Sequence, residues 1–276
     1  METIILATDF SQSAHNAAKY AAQLGVQLGV DRLILYHSFD ILPTSADIPE
    51  NMVLSEGKLA EQSQSFLQEL KEELLVLTAK KMAILTIANS LNLERGINDL
   101  SEEYNASMVV IGLSGKNIWE KLLIGSSTKK LLSHCRLSLL IVPAQVDYQP
   151  IEKMVLACDL KAVYETVPIA KIRCLIESLK AQLLVVNVDH RENEHFSTDI
   201  IRQQYAFYDL FEDFYPSIHY VDNAAVDIGI LEYTKQQQAQ LIIAVAKKHT
   251  FFERIGKESV SKKLALKATV PLLILR

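Results

Sequence analysis

The chain has 276 residues, a formal net charge of −5 and 49% hydrophobic residues. That length allows one large domain or two of about 140 residues, and the hydrophobic share supports a sizeable core rather than long disorder. The negative balance gives no general attraction to nucleic acid, and no apolar run reaches the length of a membrane span.

The N-terminus, METIILATDFS, enters a strand pattern at once, without a charged leader or cleavage site. The three cysteines, Cys135, Cys158 and Cys174, are widely spaced and suit a reducing compartment. A cytoplasmic location is therefore expected. Thr3–Ala7 is a continuous apolar run ending in Thr8 and Asp9, as suits a strand buried on both faces of a parallel sheet. Asp9 or Ser11 can cap the next helix, predicted over Ser13–Leu28 and ended by Gly29. Leu33–Tyr36 predicts a second strand, running into His37 and Ser38. A Pro-containing loop, Phe39–Glu56, is long enough to serve as a lid or to be a passive insertion. The pattern then predicts a helix over Gly57–Lys81, with Leu59, Phe66, Leu67, Leu70, Leu74 and Leu77 inward. Ala83–Ala88 predicts a strand, Ile97–Tyr104 a helix and Met108–Ile111 a strand. A glycine-containing stretch, a helix over Ser126–His134 and a strand over Leu137–Val142 complete the half.

A polar connection leads to a second pass. Strands are predicted at Met154–Cys158, Leu183–Val188, Ser217–Val221, Leu241–Ala246 and Val270–Leu275. Helices are predicted at Tyr164–Leu179, His195–Tyr215, Val226–Gln238 and Ser259–Lys267. This is an internal repeat, since MVLACD repeats IILATD and LLILR repeats LLIVP. Alternating strands and helices imply parallel sheets. The expected fold is α/β, with two tandem open five-stranded parallel sheets carrying helices on both faces, over residues 1–145 and 151–276. His190 and His195 flank an acidic stretch, HRENEH, that offers a weak metal site or simply a polar loop.

The stretch from Val109 to Pro143 carries the chemistry. Gly112 and Gly115 fall where a strand ends, the place where open α/β sheets bind ligands. Gly125, Ser126, Ser127 and Thr128 open a helix, whose unpaired N–H groups and positive end suit phosphate. The bland alternative is that the glycines make turns and the hydroxyls cap a helix. The P-loop pattern fails, because Val110 stands where its first glycine must be, and the G-x-G-x-x-G pattern fails on spacing. The spacing that fits is G-x2-G-x9-G-S. It resembles the nucleotide loop of the universal stress protein family, in which it binds ATP.

The resemblance covers both halves and implies a tandem, Rossmann-like form of that family, an ATP-binding stress-response regulator. In it, Thr8 and Asp9 would lie at the nucleotide and Ser38 at the adenine. Ile111, Gly112, Gly115, Gly125, Ser126 and Ser127 would hold ribose and phosphates. Asp9 could also hold Mg²⁺ against the phosphates. In the second half, Ala244 and Lys247 align with the first two glycines, and Glu258 or Lys257 with the third, which implies a degenerate site. The family's habit of pairing through last strands implies that Leu137–Val142 lies against Val270–Leu275 as an internal pseudo-dimer, with a further homodimer open. Two other functions remain. One is a slow ATPase or phosphotransferase, for which no convincing base is present, His37 being the nearest histidine. The other is an interaction module that needs no nucleotide.

Overall fold

A computed structural model describes residues 2–40, 56–113, 135–190, 198–246 and 260–276. The chain divides into two units, Met1–Tyr148 and Gln149–Arg276. In the first, strands β1 (Thr3–Ala7), β2 (Arg32–Ser38), β3 (Ala83–Asn89), β4 (Ala106–Leu113) and β5 (Ser138–Pro143) lie in the order β3-β2-β1-β4-β5. Their pairings are all parallel. All five residues of β1 are buried, because β1 is central and both its faces are covered. The order reverses between β1 and β4, so this unit has a switch point at the C-terminal ends of those strands.

Helix α1 (Gln12–Leu28) follows β1, and its buried face is mostly small, with Ala14, Ala17, Ala18, Ala21, Ala22 and Gly25 beside the larger Tyr20 and Leu24. Ser11 is its N-cap and Gly29, with φ of 71°, its C-cap. Helix α2 (Glu56–Leu77) buries Ser63, Leu67, Leu70 and Leu74. Two residues expected inside, Phe66 and Leu77, are each 43% exposed. The helix stops before Lys81 because Ala79 and Lys80 turn to positive φ. Helix α3 (Leu93–Tyr104) starts earlier than expected, capped by Asn92 through a 3.1 Å bond to the Arg95 N–H. Gly96 lies inside it for a packing reason: a Cβ there would sit 1.8 Å from the Tyr36 hydroxyl.

A charge cluster ties α1 to α2. Glu73 meets Lys19 at 2.9 Å and His15 at 2.7 Å. The hydrogen bond from Lys19, with a smaller share from His15, lowers the Glu73 pKa despite partial desolvation. A carboxylate held below its unfolded pKa stabilises the fold above that unfolded value, and the contribution is lost as pH falls through the folded one. Glu73→Gln should therefore cost at most about 1 kcal/mol at neutral pH, since the pair is exposed. The gap between variant and wild-type urea midpoints should close on acidification; a gap that is constant from pH 7 to pH 3 would rule out this origin.

The second unit repeats the plan. Strands β6 (Lys153–Ala157), β7 (Gln182–Asp189), β8 (Ser217–Asp222), β9 (Leu241–Val245) and β10 (Leu272–Leu275) lie in the order β8-β7-β6-β9-β10, again parallel. The single helix expected over Tyr164–Leu179 is two, α4 (Val163–Thr166) and α5 (Ile169–Leu179). Pro168 is the cause, because it forces the preceding Val167 into extended backbone, at φ −89° and ψ 121°. Helix α6 (Thr198–Leu210) likewise stops short of Tyr215 and gives way to a 3₁₀ turn over Glu212–Phe214. Helices α7 (Val226–Gln236) and α8 (Val260–Lys267) follow β8 and β9. Among the described residues, no helix is long and apolar enough to cross a membrane.

Candidate functional site

The turn after β1 is built by four residues. The Thr8 N–H donates to the Tyr36 carbonyl at 2.9 Å, extending the ladder one step past the strand. Phe10 takes a left-handed conformation at φ 62°, uncommon without glycine, and its N–H donates to Thr8 Oγ1 at 3.1 Å. The Ser11 N–H donates to Asp9 Oδ1 at 3.0 Å, while Ser11 Oγ accepts from the Ala14 N–H at 3.3 Å. Ser11 is thus the helix cap and Asp9 is not. The Asp9 side chain, oriented by the Ser11 N–H, is exposed at the end of the strand.

Ser38 ends β2, and its hydroxyl donates to the Leu91 carbonyl. With the proton committed, its two lone pairs can only accept, which suits an amino group. Asn89 Oδ1 accepts from the Tyr36 hydroxyl at 2.8 Å and from the Leu91 N–H at 3.2 Å, so it pins the β3 exit beside Ser38. Burial pushes the Tyr36 hydroxyl up to about 12, so it stays a neutral donor. His37 Nδ1 lies 2.7 Å from the Thr8 carbonyl. A carbonyl cannot donate, so the proton sits on Nδ1 and the ring is held by backbone.

Ile111 and Gly112 lie near the end of β4, opposite Ile141 and Val142 of β5, with Ile111 also level with Ala7. Gly112 is required by packing. A Cβ on it would meet the Ser13 carbonyl oxygen at 2.2 Å, the Ser13 carbonyl carbon at 2.5 Å and the Ala14 nitrogen at 2.8 Å. The strand end therefore rests against the first turn of α1, backbone on backbone.

Thr8, Asp9, Ser38, Ile111 and Gly112 are thus brought together at the C-terminal ends of three adjacent strands, at the switch point. Gly115, Gly125, Ser126 and Ser127 lie outside the described residues, as do 41–55 of the candidate lid. Sequence reasoning missed an aromatic group beside the turn. Phe10 packs on His37 at 4.4 Å and on Phe66 at 5.3 Å between ring centroids, and His37 stacks on Phe39 at 6.5 Å. A bulky apolar residue inside an otherwise polar turn, Asp9-Phe10-Ser11, was the available signal. Among the described residues, no cluster of His, Cys, Asp and Glu could hold a metal ion. His190 pairs with Asp222 at 3.2 Å, and His195 lies outside the described residues.

The second unit repeats three of the turn's four bonds but not its helix cap, since Ala162 precedes α4 without a side-chain bond. The Cys158 N–H donates to the Val186 carbonyl at 3.0 Å, and Leu160, at φ 50°, donates to Cys158 Sγ at 3.4 Å. The Lys161 N–H donates to Asp159 Oδ1 at 3.3 Å, and Asn187 Nδ2 donates to the Cys158 carbonyl at 3.1 Å, where His37 stands in the first unit. Cys158, expected inside the strand, is therefore one residue past it and partly exposed. The strand register also corrects the repeat. Ala7 lies level with Ile111, and Ala157 with Ala244. The counterpart of Gly112 is therefore Val245, one residue beyond the alignment read from sequence, and the counterpart of Ser38 is Val188.

The model of the universal stress protein family matches residues 1–143. The chain belongs to the universal stress protein family. No curated protein matches it significantly. Among solved structures it is similar to a universal stress protein from Archaeoglobus fulgidus, with TM-score 0.72 and 14% identity over 99% of this chain and 98% of that one. A functionally unknown protein from Pseudomonas aeruginosa matches at TM-score 0.63 and 14% identity, over 100% and 92% of the two chains. At these identities the likeness is one of fold, and it extends over both units of this universal stress protein. A shorter family member from Arabidopsis thaliana, solved with AMP bound, matches at TM-score 0.35 and 12% identity, over 52% of this chain and 92% of that one.

Proposed function

We propose that the first domain binds ATP, or a closely related adenine nucleotide, at the C-terminal ends of β2, β1 and β4, and that the bound state is a stress-response signal read by partners. The observation that carries this is the meeting of Asp9, Ser38, Ile111 and Gly112 at the switch point, with an acceptor-only hydroxyl where an adenine amino group would lie. The loop spacing Gly112, Gly115, Gly125, Ser126 supports it, because amides and hydroxyls at a helix start suit phosphates. Mg²⁺ fits as a companion ion. One exposed carboxylate with one oxygen already oriented by the Ser11 N–H is the kind of single protein ligand that Mg²⁺ takes beside phosphate and water.

Regulation is favoured over catalysis. Phosphoryl transfer needs a group that orients the nucleophile. His37 is fixed by the Thr8 carbonyl and wedged between Phe10 and Phe39, which suits a structural post better than a mobile base. The second domain is proposed not to bind nucleotide, since Val188 and Val245 replace the hydroxyl and the glycine. Its proposed role is to pair with the first through β5 and β10, the last apolar strand of each five-strand order, covering edges that otherwise invite aggregation.

Calorimetric titration of the full chain with ATP, with and without Mg²⁺, should give one site per chain. Two sites would assign nucleotide binding to the second domain as well. No heat at millimolar ATP would leave the interaction-module reading.

A further inference from the structure

The second unit carries a cavity of about 310 Å³ at the C-terminal ends of β6, β7 and β9. This is the place that the candidate nucleotide site occupies in the first unit. The volume falls within the range of small-molecule pockets, about 300–1,000 Å³. Its walls are of another chemistry, however. Register puts Val186 where the first unit has Tyr36, Val188 where it has Ser38 and Val245 where it has Gly112. Ile230 closes one side.

We infer that this cavity is a binding site for a small, uncharged, largely hydrocarbon ligand. Three observations lead there. Replacing Tyr36 by Val186 removes an entire ring and its hydroxyl, which leaves space a nucleotide site does not need there. Replacing Gly112 by Val245 puts a branched side chain where the strand end met helix backbone. The chain opposite has changed in step, since α4 is a single turn ended by Pro168, and Thr166 and Val167 line the cavity instead of a continuous helix. Asp159 stands at the rim as Asp9 does at the end of β1, so the difference in chemistry between the two units comes from the walls. Enclosed apolar cavities of about 150 Å³ already take benzene, and here Thr166 and Ser261 add hydroxyls to a mainly apolar lining that is open on one side. The same turn that presents Asp9 to a nucleotide thus presents Asp159 to the mouth of a hydrocarbon pocket.

The test uses the full chain and toluene as probe. In methyl-detected NMR, toluene should shift Val186, Val188 and Ile230 saturably. Cys158 lines the cavity and is partly exposed, whereas Cys174 is exposed elsewhere. At ten times the toluene Kd, alkylation of Cys158 by iodoacetamide should slow about tenfold, from simple occupancy, while that of Cys174 is unchanged. Val188→Phe should fill the space and abolish the methyl shifts. The inference is overturned by no saturable shift up to the solubility of toluene, by shifts that persist in Val188→Phe, or by ATP and not toluene shifting these methyls. If Val188→Phe fails to fold, the wild-type titration and Cys158 protection still decide it. None of these outcomes depends on whether the first domain binds ATP.

Discussion

Gly112→Val should destabilise the protein by about 3 kcal/mol and lower its melting temperature by roughly 10 °C, an effect at the upper end of overpacking substitutions. The reason is the identity of the neighbours. The new Cβ would lie 2.2 Å from the Ser13 carbonyl oxygen and 2.8 Å from the Ala14 nitrogen. Both are backbone atoms in the first turn of α1, just after its Ser11 cap, so no side-chain rotation relieves the clash. Either β4 or the start of α1 must shift. A shift of α1 would drag the Asp9 turn with it, through the Ser11 N–H bond to Asp9. ATP affinity should therefore fall together with stability. The check is a thermal melt paired with an ATP titration. A wild-type melting temperature would show that the strand end and helix can separate without cost. The second domain has a valine at this position: Val245 lines a cavity with Thr166 and Val167, at the end of a helix cut to one turn before Pro168.

Much of this was legible in the sequence for a physical reason. A strand buried on both faces must be apolar throughout, so Thr3–Ala7 and Leu139–Val142 announce themselves without periodicity. The turn following β1 was legible too, as a repeated Asp at a strand end. The losses have equally physical causes. Phe66 is apolar and at helical spacing, yet it faces outward because its partner is Phe10, a residue 56 positions away that only the fold brings near. Ser63 is buried in its stead, and a serine gives no hydrophobic signal. Gly112 reads as a ligand glycine from its spacing, but its packing role depends on where α1 starts. The slip of one residue between Ala244 and Val245 arose because a short apolar run aligns nearly as well one step off, and the pairing to β6 alone fixes it.

The largest effect on function is expected from Gly125→Glu. In the proposed nucleotide site, Gly125 opens a phosphate-holding helix beside Ser126 and Ser127. A glutamate there adds both a Cβ in the path of the phosphates and a negative charge within contact distance of them. Like charges about 4 Å apart at an intermediate effective dielectric repel by about 4 kcal/mol, equivalent to roughly a thousandfold loss of affinity. The substitution also has an internal precedent. β4 and β9 fall 133 positions apart (244 minus 111), and the same offset from Gly125 reaches Glu258, one of the two residues expected at the third glycine's place in the second half. Circular dichroism and the melting temperature should be unchanged, as the proposed phosphate-loop role of Gly125 requires. ATP binding by calorimetry should disappear. Unaltered binding would mean that the nucleotide is held elsewhere than at this loop. Loss of binding together with loss of fold would make Gly125 a packing glycine, as Gly112 is, and Ser126→Ala would then be needed to isolate the phosphate contact. Weakened ATP binding with an intact fold would tie the loop to the switch-point residues Asp9 and Ser38 in a single nucleotide site.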